Sequence, residues 1–269
     1  MPRSDDAVEL RFSEVHSVRR CQDEGVEERV RALVDAEWKA RLGVDKSDLH
    51  SGRVHVVTAD LGANDAMSFL LRETCIVVVP PAQVASAREV LTGLDVPAAF
   101  TADALRTLVG AHAQVDGPSW HSYADENSFR GTADAAASSV ERGDAELLAF
   151  LENSDLDDWA ESGFPQDPST ADPATTQFWI LREYGRVVAA GNMTEWRHLP
   201  ADVGVLTSTA DRGRGLAGRL VGAMVSAALP DVGVVRYRAL ASNAASLAVA
   251  RRLGFEPYGQ NFRARKAPQ

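Results

Sequence analysis

Apolar residues recur at different periods along this chain, and the period marks where helices and strands should lie. Over residues 24–42, Val30, Leu33, Val34, Ala36 and Trp38 fall mostly on one side of a helix, and Gly43 supplies a stop. Residues 53–59 (RVHVVTA) and 67–79 (MSFLLRETCIVVV) carry the Val, Ile and Thr that favour strands. Pro80-Pro81 ends the second run, because proline cannot donate to a ladder. Helices are expected over 82–94 and 101–111, the second opened by Thr101 as its N-cap. This first region reads as a compact α/β unit without a chemical motif.

From residue 114 to 143 the periodicity weakens around Gly117-Pro118 and a small-residue run at 135–139, so a domain boundary is expected there. The division adopted is an N-terminal α/β domain over residues 1–120 and a second domain over 121–269. Residues 145–159 predict one helix with Leu147, Leu148, Phe150 and Leu151 on its apolar side, and the proline-bearing stretch 163–176 reads as a loop. Strands are expected over 177–182 and 186–194, joined across Glu183-Tyr184-Gly185, and again over 203–207. A helix over 216–229 follows, with Leu216, Leu220, Met224 and Ala228 at four-residue spacing. A strand at 232–240, a short helix from Asn243 to Leu253-Gly254, and 255–257 and 259–264 as edge strands or a turn and strand complete the pattern.

Composition narrows the class. With 269 residues, 45% apolar and 25% charged, the chain can bury a substantial core. No apolar run approaches the roughly 20 residues that cross a bilayer. The opening MPRSDD carries acids where a secretory signal carries basic residues, so neither a membrane partner nor export is expected. Cys21 and Cys75 match no metal-ligand spacing; no metal is expected, and a reducing cytoplasm is the default location. A net charge of −10 argues against nucleic acid as a partner. The acids concentrate between residues 125 and 172, whereas Arg212, Arg214, Arg219, Arg236 and Arg238 lie in the last third. The acidic stretch reads either as solvated surface or as a rim that attracts a cationic amine.

The densest chemical signal is Arg212-Gly213-Arg214-Gly215-Leu216-Ala217, between an expected strand and an expected helix. The first N–H groups of a helix have no intrahelical partner, and the macrodipole adds partial positive charge there. Glycines let the backbone approach an anion, and arginines add full charges, so this is a recipe for holding phosphate. A plain glycine turn before an ordinary helix is the competing structural reading. Gly213, Gly215 and Gly218 also satisfy G-x-G-x-x-G, but the next strand ends in Arg238-Ala239-Leu240 instead of near an acid, and too little chain remains for a doubly wound sheet. No Gly-Lys-Ser/Thr follows, which removes a Walker loop.

Arg212-x-x-Gly215-x-Ala217 resembles the cofactor signature of the GNAT superfamily of N-acyltransferases. Two further parts occur in the family's order: the preceding strand Gly204-Val205-Leu206-Thr207, and Asn243-x-x-Ser246 followed by Leu253-Gly254-Phe255. The resemblance covers about residues 177–265. It implies an α+β fold, a mixed and mostly antiparallel sheet flanked by helices, preceded here by the smaller N-terminal domain, for which a degenerate second GNAT-like half is one reading. It implies acetyl-CoA as acyl donor, held by Val205, Leu206 and Thr207, by the loop Arg212, Gly213, Arg214, Gly215, Leu216 and Ala217, and by Asn243 and Ser246. Asn243 is equally well placed to cap the short helix, and Ser246 to make a first-turn backbone contact.

Acetyl transfer to an amine needs a deprotonated nucleophile, a stabilised oxyanion and a proton for the leaving thiolate. Family members often supply that proton from a tyrosine four residues before the Gly-Phe glycine; here that position is Ala250. Glu195 and Asp202 are the candidates for the base, with plain surface acids as the alternative, and His198 is a lone histidine in a loop. Asp157, Asp158 and Glu161 are candidates for amine recognition. The expected activity is transfer of an acetyl group to a small-molecule or peptide amine by a monomer or homodimer. A catalytically silent acyl-CoA-binding module is the alternative, favoured by Ala250.

Overall fold

The computed structural model describes residues 28–59, 65–165, 167–196 and 199–266; Cys21, His198 and the opening residues lie outside these. The chain begins with α1 (Glu28–Leu42), α2 (Lys46–Leu49), β1 (Val54–Val57), β2 (Ala66–Leu71) and β3 (Thr74–Val78). Then come α3 (Val84–Leu91), α4 (Val96–Ala99), α5 (Ala102–Val109), β4 (Gln114–Asp125), β5 (Ala137–Val140), α6 (Ala145–Glu152) and α7 (Leu156–Ser162). The chain continues through β6 (Thr176–Glu183), β7 (Arg186–Trp196) and β8 (Leu199–Thr207). It closes with α8 (Leu216–Val232), β9 (Val234–Leu240), α9 (Ala244–Arg252) and β10 (Glu256–Arg265). Contacts divide it into two compact units, Met1–Trp120 with Pro257–Gln269, and His121–Glu256. Strand β10, expected as two edge pieces of the second domain, is one strand whose residues from Pro257 onward count with the first unit.

In the first unit the strand order is β1-β3-β2-β10, followed by the early part of β4. The run over 67–79 is a hairpin, not one strand. Arg72 and Glu73 interrupt the apolar residues, Arg72 takes φ 55°, and Leu71 pairs with Thr74 across the turn. Helix α1 buries Val30, Val34, Trp38 and Leu42 at four-residue spacing, whereas Leu33 and Ala36, expected on the same side, are exposed because they fall off that stripe. Thr101 caps α5 by accepting from the Ala104 N–H at 3.1 Å. Cys75 is fully buried, and that burial pushes its thiol up to about 12.

In the second unit the order is the late part of β4, then β9-β8-β7-β6-β5, with β8 and β9 parallel and β5 to β8 antiparallel. Side chains alternate across the sheet as strand geometry requires. Phe178 and Ile180 join α6 residues Leu147 and Leu151 on one face, whereas Trp179 and Leu181 pack with Leu220, Met224 and Val225 of α8 on the other. The expected single helix over 145–159 is two, α6 and α7. Asn153 Nδ2 donates to Ala149 O at 2.7 Å and Ser154 Oγ to Phe150 O at 2.8 Å, so side chains take the last carbonyls of α6 and end it. The second unit is a mixed, mostly antiparallel sheet flanked by helices, the α+β class expected, and the first, expected as α/β, pairs β1 with β3 in parallel and β2 with β3 and β10 antiparallel.

Candidate active site

Strand β8 is paired along one edge and only partly along the other. Against β7 it is registered from Asp202↔Thr194 to Thr207↔Ala189. Against β9 the described ladder holds Asp202↔Arg236 and Val203↔Tyr237 and goes no further. From Gly204 to Thr207 the strand therefore leaves its parallel neighbour and opens a wedge that runs toward the glycine loop. Gly204 stands where the wedge begins, and glycine is required there by space. A Cβ would lie 2.1 Å from Asn192 Oδ1 and 2.3 Å from Ser162 O, far inside contact distance. Asn192 is buried and donates to Thr194 Oγ1 at 3.1 Å, a residue that sequence reasoning passed over as an ordinary strand position.

Past Thr207 a 3-10 turn (Thr209–Asp211) leads into the loop. Gly213 and Gly215 take φ 78° and 76°, left-handed values that L side chains adopt only at a cost. Gly215 is the N-cap of α8, and no side chain caps that end; its first turn holds no acid. The first N–H groups of a 17-residue helix thus remain without a side-chain acceptor, which is the condition for an anion site. Leu216 is buried, so its side chain anchors the helix and its backbone alone is on offer.

The arginines around this loop are already paired. Arg186 on β7 holds Asp211 through two bonds, at 2.7 and 2.8 Å. Arg214 bonds Asp211 at 2.7 Å and Glu183 at 2.5 Å, and Arg219 bonds Asp134 at 2.7 Å and also Glu183. Three guanidinium groups and three carboxylates alternate in one neutral chain. Arg186 above all, with Ser208 and Arg214, pulls the buried Asp211 carboxyl down to about 2. Arg219 lowers Glu183 and Asp134 in the same way. Arg214 and Arg219 are therefore tied to carboxylates around the loop, so the charge expected at Arg214 is already shared with Asp211 and Glu183. Arg212 sits outside this chain and pairs with Asp158 on α7.

Downstream, Asn243 caps α9 by accepting from the Ser246 N–H at 2.9 Å, while its Nδ2 donates to Glu161 at 3.3 Å. Ser246 Oγ lies 2.9 Å from the hydroxyl of Tyr237, whose pKa is raised by burial in the core. Within this frame, residues 144–255 match the family model described as Acetyltransferase (GNAT) family. This part of the chain belongs to the GNAT acetyltransferase family.

Solved structures of GNAT proteins share features of the chain at low identity. A GNAT-family acetyltransferase from Colwellia psychrerythraea is 13% identical, with 90% of this chain and 98% of that one covered and a TM-score of 0.48. A GCN5-related N-acetyltransferase from Kribbella flavida is 15% identical, covering 87% and 96%, with a TM-score of 0.47. No curated protein matches the chain. Family membership supports acyl transfer as the general chemistry of this GNAT unit.

The two acids read as bases lie on neighbouring strands, Asp202 in β8 and Glu195 in β7. Asp202 bonds the buried Arg236 at 3.2 and 3.3 Å and stands 3.6 Å from Arg238, so it neutralises a guanidinium inside the sheet. Glu195 is exposed at the end of β7, its backbone N–H donating to Thr175 O at 2.7 Å. Ala250 is buried in the core of α9, with no proton to give. A cleft of about 590 Å³ opens beside the end of β8, lined by Phe150, Asp155, Asp158, Arg186, Thr207 and Thr209 among others. Among the described residues, no group of three or more His, Cys, Asp or Glu is placed to hold a metal ion, and no helix is long and apolar enough to cross a membrane.

Proposed function

We propose that the chain is an acetyl-CoA-dependent N-acetyltransferase that moves an acetyl group to a primary amine by direct attack in a ternary complex. The observation that carries this reading is the bare N-terminus of α8 behind two left-handed glycines, at the end of the wedge between β8 and β9. In this reading the loop 212–217 holds the pyrophosphate through backbone N–H groups, with Arg212 as its mobile charge. The free edge of Val205, Leu206 and Thr207 pairs with the pantetheine arm and supplies the oxyanion donors, where developing charge is worth most to stabilise. Asn243 borders the arm from the other side. Ser246 is better explained as the partner of Tyr237 than as a ligand contact.

The donor supplies an activated thioester; the protein's part is to align a neutral amine with its carbonyl carbon. Such alignment alone is worth about 7–11 kcal/mol in favourable cases. It therefore suffices without a dedicated acid at position 250, the departing thiolate taking its proton from water or from the ammonium formed on attack. Ala250 is also the observation that favours the second reading, a silent acyl-CoA-binding module. Titration with acetyl-CoA followed by thiol release across a panel of primary amines separates the two. Tight binding with turnover on at least one amine is expected; binding without turnover favours the silent module, and absence of binding overturns both.

A further inference from the structure

The two side chains proposed to border the donor, Arg212 and Asn243, follow the C-terminal ends of parallel strands β8 and β9, on opposite sides of the wedge. Each is bonded to a carboxylate of the same seven-residue helix, α7. Asp158 holds Arg212, and Glu161 accepts from Asn243 Nδ2 at 3.3 Å. The end of the same helix also reaches β8, since Ser162 O would stand 2.3 Å from a Cβ at Gly204. Helix α7 is thus tied to both banks of the wedge and to its inner end.

We propose that α7 is a latch on the donor groove, with Asp158 holding on Arg212 the place that a phosphate of the donor takes. This rests on the acyl-CoA reading above and adds a regulation of that site. Arg214 and Arg219 are locked among three carboxylates, which leaves Arg212 as the loop arginine whose charge can be handed over. Its pair with Asp158 is half exposed, with 48% and 33% of the two side chains in solvent. Pairs of that exposure are weak, so a pyrophosphate carrying two charges displaces the carboxylate readily. Glu161 releases Asn243 in the same movement, while the Asn243 cap on α9 stays in place because it uses the other amide atom.

The latch makes an unusual prediction: removing a residue beside the donor site tightens donor binding. Measured by calorimetry on the full chain with CoA as the probe, Asp158→Asn should bind about fivefold more tightly than the parent, the scale of one exposed ion pair. Glu161→Ala should gain about twofold by losing the bond from Asn243 Nδ2. Loss of a nearby negative charge would also tighten binding by simple electrostatics, so the test is a double-mutant cycle with Arg212→Ala. In the latch, the gain from Asp158→Asn vanishes once Arg212 is gone. A gain that persists in the Arg212→Ala background, or no gain in the parent, overturns the latch and leaves the acyl-CoA reading standing. Failure of every variant, Asp158→Asn included, to bind CoA overturns that reading and the latch with it.

Discussion

Two helices of the second unit begin within 30 residues of each other, and they treat their first turns in opposite ways. Helix α9 starts on Asn243, whose side chain accepts from the Ser246 N–H at 2.9 Å. Helix α8 starts on Gly215, in a left-handed conformation, with no side-chain cap. Every helix start leaves about four donors without an intrahelical partner, so a fold gains by capping them. Leaving α8 bare forgoes that gain on the longer of the two helices, at the mouth of the only parallel pair described in this unit. On the proposed function, a structural start and a binding start differ in what happens to the same backbone donors. Stability and ligand affinity should respond to mutation of the two starts in opposite proportion.

The largest effect is expected from closing the bare start. Gly215→Asp places a carboxylate over the first-turn donors, where it both satisfies them and repels a phosphate. CoA affinity should fall about 100-fold, the equivalent of two steps of about 1.4 kcal/mol. Stability should fall much less, by about 1 kcal/mol, because aspartate tolerates a positive φ better than most residues. Calorimetry with CoA beside thermal melts of the same samples checks both numbers. If a folded Gly215→Asp protein bound CoA as well as the parent, the contrast between the two helix starts would carry no functional meaning.

A smaller effect should come from loosening the frame that keeps the bare start in shape. Asp211 joins Arg186 of β7 to Arg214 of the loop. Asp211→Asn keeps the size and removes the charge, so CoA affinity should fall about tenfold, on the order of a broken hydrogen-bonded charge pair. The pH dependence has a definite sign. Asp211 titrates near 2 in the folded chain against 3.8 for the unperturbed group, so its stabilising contribution is present above about pH 4 and disappears as pH falls toward 2. Glu183 and Asp134 are shifted in the same direction and remain in both proteins. The difference in melting temperature between parent and Asp211→Asn should therefore shrink between pH 4 and 2; a constant difference would show that the charge at this position does not stabilise the loop.

The bare start was legible because its signal is local: two glycines, an apolar period after them and an arginine at fixed spacing lie within a dozen residues. The Asn243 cap was legible for the same reason, and so was the Thr101 cap on α5. What was lost is long-range. Glu183 read as a hairpin residue, yet it joins Arg214 and Arg219, 31 and 36 positions away. Asp134 lies 85 positions from the arginine it holds, and nothing in the spacing announces either pair. Asp202 looked like an acid beside a cofactor strand, because the burial of Arg236 on the next strand has no signature in Val-Val-Arg-Tyr-Arg. The 12-residue strand β4 escaped because its residues do not alternate cleanly between apolar and polar, with Gly117-Pro118 interrupting it.

The smallest effect on affinity should come from undoing the capped start. Asn243→Ala removes the acceptor for the Ser246 N–H and should cost about 1 kcal/mol, the usual value of an N-cap. For a unit of this size that is a fall of about 4 °C in melting temperature. Its influence on CoA should stay within about threefold, because two small consequences oppose each other. Losing the amide removes a border of the donor arm, while releasing Glu161 loosens α7, each on the scale of one modest hydrogen bond of about 1 kcal/mol. Asn243→Asp separates the components further: it keeps the cap oxygen, so the melt should return to near the parent, but it sets a second carboxylate against Glu161. Mutual repulsion then frees α7 without unwinding α9, but the added carboxylate also repels the donor's phosphates, so CoA affinity should stay within about threefold of the parent at low salt. An Asn243→Asp protein as unstable as Asn243→Ala would mean that the first turn of α9 is held by its packing and not by its cap.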